Sequence, residues 1–116
     1  MEVRDITEVS LEILSVAYPK FDWNGYRVVQ AGDLREKDCR GTSLLGICFP
    51  HLKIIEMYIS YEDWDAWYYT LLHEGCHSVV WNGKIPTTAR GYYHGKRFKE
   101  ELDKARKLRL FTGVRS

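Results

Sequence analysis

The sequence predicts a small α+β domain in which three helices pack with a three-stranded sheet. Three observations carry that prediction. Apolar residues recur at helical spacing in three separate segments, short β-branched and aromatic runs lie between the first and second of these, and Gly, Pro and Asn cluster where the patterns break. At 116 residues, 45% of them apolar and 28% charged, the chain is long enough for one core and too short for two. A single domain over residues 1–116 is therefore expected.

The first helix is expected over about residues 6–17. DITE at 5–8 has the form of a capping box, with Asp5 as cap and Glu8 three residues on. Ile6, Val9, Ile13 and Ala17 then share a face until Pro19. Residues 26–30 and 43–49 read as strands separated by GDLREKDCRG, a polar stretch with turn chemistry. After Pro50, HLKIIEMYIS alternates at Leu52 and Ile54 and less regularly at Met57 and Ile59. It reads as a third strand, with residues 51–60 expected at the edge of the sheet, where an extended peptide can add as a further strand.

Ser60 opens SYED, an N-cap pattern with an acid three residues on. Trp64, Trp67, Tyr68, Leu71, Leu72, Gly75 and Val79 then trace the longest helix, as far as about Trp81. NGKIPTTARG at 82–91 carries Gly83, Pro86 and Gly91, so the chain reverses there. Phe98, Leu102, Ala105 and Leu108 mark a last helix from about His94 or Gly95 to Leu108.

Composition narrows the class of protein. The N-terminus has acidic residues where a signal peptide has basic ones, and no run approaches membrane-spanning length, so a cytoplasmic protein without a membrane partner is expected. Cys39, Cys48 and Cys76 form no CxxC pair, which indicates neither a disulfide framework nor a zinc ribbon. The net charge is +1, but residues 96–116 hold eight Lys/Arg against three Asp/Glu. A basic last helix of this kind is able to touch nucleic acid weakly, and a solvated helix face gives the same count.

The chemistry is concentrated in LLHEGCHSVV at 71–80, where His73, Glu74 and His77 form HExxH. At about 100° per residue, the two imidazoles lie about 40° apart and one turn along the same face, so they can share one metal ion. Glu74 sits about 60° to the side of His77, where a carboxylate can hold a water without ligating the metal. With four histidines in the chain, the pattern is expected in only about one shuffled sequence in a hundred. An unpaired Glu in an otherwise apolar helix is also costly to bury.

A catalytic zinc needs a third protein ligand and an open position. HExxHxxGxxH would place Gly at 80 and His at 83, where the chain has Val80 and Gly83. His51 follows Pro50 at a strand end, a surface or capping position. His94 lies four residues before Phe98, facing the active helix, and is the expected third ligand, with Glu100 or Glu101 as the alternative. Cys76 turns away from the shared face and reads as a small packed thiol. Tyr92 and Tyr93 beside His94 serve either as core aromatics or as hydroxyl donors to a tetrahedral intermediate.

LLHEGCHSVVW followed by HGKRF resembles the SprT-like zinc metallopeptidase domain, the catalytic module of the Spartan proteases, whose signature is HExxH followed by HGxxF. The order of helix, short strands, a Gly-Ile-Cys segment and a strand ending at Ser before the active helix is similar too, so the resemblance spans about residues 5–108. It implies a zincin-like minimal metallopeptidase fold and one Zn²⁺ held by His73, His77 and His94. It also implies peptide hydrolysis by a zinc-activated water with Glu74 as general base, and a structural role for Gly95 and Phe98. A protein or peptide substrate follows, among them DNA-associated proteins. Two features depart from the family: Gly75 stands where a bulky apolar residue is usual, and the C-terminal zinc ribbon of many relatives is absent. Two other readings compete with this one. They are a zinc-stabilised nucleic-acid-binding or regulatory module without turnover, and a peptidase like the repressor-cleaving zincins, which take a downstream acid as ligand.

Overall fold

The computed structural model describes residues 4–31, 45–84 and 95–108. They form α1 (Thr7–Ala17), α2 (Trp64–Val79) and α3 (Lys96–Leu108), with strands β1 (Arg4–Asp5), β2 (Arg27–Gln30), β3 (Gly46–Phe49) and β4 (Ile54–Met57). The strands make one mixed sheet in the order β1-β2-β4-β3, in which β2 and β4 run parallel and the other pairs antiparallel. The α+β class and the three helices are as expected. No described helix is long and apolar enough to cross a membrane.

The sheet departs from expectation in two respects. It has a fourth strand, β1, two exposed residues with no strand-like pattern of their own that pair with Val29 and Gln30. The segment 51–60 also does not form the edge. Pro50 to Lys53 turns the chain so that β4 lies back along β3, and β2 closes its other side, leaving β3 at the sheet's end among the described residues. Alternation showed that β4 has a buried face but carried no information about its partners.

Helix starts shift by one to four residues for a common reason. Asp5 accepts the Thr7 N–H at 2.9 Å from within β1, and the cap position falls to Ile6, which makes no side-chain cap bond. Ser60 Oγ accepts the Glu62 N–H at 3.1 Å and its carbonyl accepts that of Asp63, so SYED forms a turn and α2 starts at Trp64. Both side chains do what their chemistry favours, one turn early. Gly95 supplies the first helical carbonyl of α3, accepting the Lys99 N–H at 3.0 Å.

One face of the sheet presents Val28, Cys48, Ile55 and Met57 to α1 and α2, and Phe98, Leu102 and Ala105 of α3 complete the core. Each fully buried aliphatic side chain contributes about 1.5–3 kcal/mol. Tyr18 and Trp67 keep their polar ends bonded, whereas Trp64 Nε1 is buried with no hydrogen bond among the described residues: Tyr18 donates to the Leu72 carbonyl at 2.9 Å. Trp67 Nε1 donates to Gln30 Oε1, whose amide in turn donates to the Ile59 carbonyl.

Gly75 is explained by this packing. A Cβ there would sit 2.5 Å from Leu14 Cδ2 and 3.4 Å from the Trp23 ring, so the missing side chain lets α1 close onto α2. Leu14 is fully buried, so the contact lies inside the core. Gly75→Ala gains about 1 kcal/mol of helix propensity but overpacks the contact by about 1–3 kcal/mol. A net loss is expected, visible as a lower thermal midpoint. In a Leu14→Ala background the same change is expected to be neutral or stabilising. A higher midpoint for Gly75→Ala in the otherwise unaltered protein would contradict the close-approach explanation.

Candidate metal centre

Three sides of α2 are committed to packing. Thr70, Glu74 and Ser78, four residues apart, lie over β3, where a Cβ on Gly46 would meet Thr70 Cγ2 at 3.0 Å and Glu74 Cγ at 3.2 Å, and Cys48 Sγ lies 3.1 Å from Ser78 Oγ. Gly75 meets α1. Cys76 meets α3, its thiol donating to the Phe98 carbonyl at 3.4 Å. His73 and His77, both half-buried, occupy the remaining side.

The two imidazoles lie 5.2 Å apart between ring centroids. With Zn–N distances of about 2.0–2.1 Å and tetrahedral angles, two imidazoles on one ion have their centroids about 5 Å apart, so the spacing fits. Phe98 sets the rings from the α3 side, with its centroid 5.1 Å from His73 and 4.6 Å from His77. It is itself buried, so it acts as a fixed wall against both histidines.

Glu74 is 8% exposed, and among the described residues its carboxylate makes no hydrogen bond and no ion pair. Burial pushes its pKa up to about 7. A buried carboxyl without a partner is costly, and a cation or an ordered water beside it offsets that cost. The chemistry of the set, two imidazole donors and an acid adjoining them, fits a divalent zinc ion.

The other expected site residues divide clearly. His94, Tyr92 and Tyr93 lie outside the described residues. Gly95 and Phe98 stand at the start of α3, Phe98 against the histidines. Glu100 points to solvent beside Lys96 at 3.9 Å and Glu101 lines a groove toward α1. Among the described residues no His, Cys, Asp or Glu completes a group of three around a metal position. His51 is half-buried between Phe49 and Trp81, at 6.4 and 6.5 Å between centroids. Cys76 remains a buried thiol, raised to about 11 chiefly by burial, in keeping with a packing role.

Sequence reasoning missed the polar strip Thr70–Glu74–Ser78 and the glycine opposite it. Its signal was present as small or polar residues at four-residue spacing inside an apolar helix. Compared with family models, curated proteins and solved structures, the chain matches none.

If Phe98 orients the imidazoles, Phe98→Leu is expected to weaken zinc binding about ten-fold, as loss of an outer support does. The control is Leu102→Ala, which removes core contact one turn further along α3 without altering Phe98. It is expected to lose about 2–5 kcal/mol of stability with zinc affinity intact. Competition with a chromophoric chelator measures both. Equal zinc affinity in Phe98→Leu and the parent would reduce Phe98 to core packing.

Proposed function

We propose that this protein is a zinc-dependent peptidase in which Glu74 is the general base. The observation that carries the reading is the buried, partnerless Glu74 carboxyl beside an imidazole pair spaced for one metal ion. A structural metal site has no use for such a group, whereas hydrolysis requires one. His73 and His77 would hold the ion together with His94, which immediately precedes Gly95. When bound, zinc supplies a Lewis acid that lowers the pKa of water, polarises a carbonyl and favours the ionised form of a nearby carboxyl.

The chain's own residues do the rest. Glu74 accepts a proton from the attacking water and returns it to the leaving amine, a role suited to a carboxyl whose affinity for protons is raised toward neutrality. Phe98 keeps the imidazoles from rotating. Among the described residues β3 ends the sheet, so its outer edge would offer backbone groups to an extended peptide, and Gly46 at its start adjoins Glu74, so a peptide added there as a strand would pass close to the base.

The likeness to SprT-like domains supports a protein substrate, including proteins held on DNA. The basic count of α3 overstates its free charge, because Lys96 and Lys107 pair with Glu100 and Asp103 and Arg106 lies 4.5 Å from the Tyr69 ring centroid. Activation by DNA is therefore a separate question, answered by adding single-stranded DNA to the same assay.

Purified protein is expected to contain one zinc per chain and to cleave a basic DNA-binding protein. Glu74→Gln should keep the zinc and lose about 10²–10⁴-fold in rate. His94→Ala should lose zinc, whereas Glu100→Ala and Glu101→Ala should retain it. An unchanged rate in Glu74→Gln would refute the mechanism. Bound zinc with no cleavage of any protein would favour the non-catalytic, zinc-stabilised module.

A further inference from the structure

A groove of about 700 Å³ runs between the end of α1 and the length of α3, apart from the histidines. Its only α2 residue is Val79, about 160° around the helix from His77. Val16, Pro19, Phe21, Val79 and Leu108 give it an apolar lining, and two of these are unusually open for their type, Val16 at 45% and Leu108 at 50% exposure. Among the described residues its charged ones are Lys20, Arg97, Lys104 and Lys107 against Glu101 alone. Lys107 shares its charge with Asp103, while Lys20 and Lys104 have no ion-pair partner among the described residues.

We propose that this groove binds an acidic amphipathic helix of a partner protein. Arg97 to Leu108 spans about 16 Å along α3, the length of about three helical turns, which suits an elongated ligand. Two or three apolar anchors at i, i+4 and i+7 would fill the lining, and flanking carboxylates would meet Lys20 and Lys104. Nucleic acid fits less well. Bases need open aromatic faces, yet Phe21 is packed on Trp23 at 4.4 Å and Tyr18 is buried with its hydroxyl bonded to Leu72. Glu101, midway along the rim, repels phosphates. The site is independent of zinc and of peptidase activity.

The test uses the full chain, ¹⁵N-labelled, titrated with a synthetic peptide carrying Leu at i, i+4 and i+7 and Glu at the intervening positions. Shifts confined to residues 16–21, 79 and 97–108 are expected, with affinity by anisotropy unchanged by a zinc chelator. Lys20→Glu with Lys104→Glu should weaken binding at least ten-fold, and a Lys-for-Glu peptide should bind that variant better than the parent. Val16→Asp should abolish binding. All three positions are exposed, so thermal midpoints close to the parent's will show that the variants fold. Peptide binding unaffected by these changes would overturn the proposal. So would absence of peptide binding, or oligothymidylate moving the same resonances where the peptide does not.

Discussion

Helix α2 is approached by α1, α3 and the sheet at once, and on the α1 side Leu14 comes so close to Gly75 that a Cβ there would sit 2.5 Å from Leu14 Cδ2. A glycine inside a helix is unfavourable by about 1 kcal/mol, and here it sits in a helix whose Leu71, Leu72 and Cys76 are all fully buried, so apolar burial offsets that cost. Gly46 plays the matching part on the sheet side, where any Cβ would press on Thr70 and Glu74. Two glycines, Gly75 within the helix on the α1 side and Gly46 in the strand beneath it, leave room for α2 to be surrounded.

That burial explains the unusual state of Glu74. Its neighbours on the same helix stripe, Thr70 and Ser78, are small and polar, and Ser78 finds a partner in Cys48, but the carboxyl between them finds none among the described residues. Desolvation alone raises its proton affinity. Perturbed groups of this sort gather at functional sites because binding or catalysis is what makes an otherwise unfavourable burial worth keeping. The histidines next to it are better supported, since Phe98 walls both rings and Cys76 ties the Phe98 carbonyl to α2. The start of α3 is thereby docked on the face that carries the motif.

Much of this was legible in the sequence, and the failures share a cause. The three helices announced themselves through periodicity, and HExxH placed His73 and His77 on one face because helical geometry is local. Strand order is not local: nothing in IIEM says that it lies between β2 and β3, and nothing in Arg4–Asp5 suggests a strand at all. Asp5 and Ser60 read as helix N-caps, whereas the caps fall at Ile6 and Asp63 and both side chains bond in the bend before the helix, a chemistry that suits either place. Gly75 was unreadable without Leu14, a residue sixty-one positions earlier in the chain. For the strand order and for Gly75 the missing information was the identity of a distant neighbour; for the two caps it was a choice between two local bonding patterns.

The most direct test is the coordination of the ion itself, read by X-ray absorption at the zinc edge on the purified protein. Imidazole nitrogens at about 2.0–2.1 Å together with at least one light oxygen ligand are expected, the pattern of an open catalytic site. A sulfur shell at about 2.3 Å would transfer the metal to the cysteines and contradict the reading of His73, His77 and Glu74 as its centre.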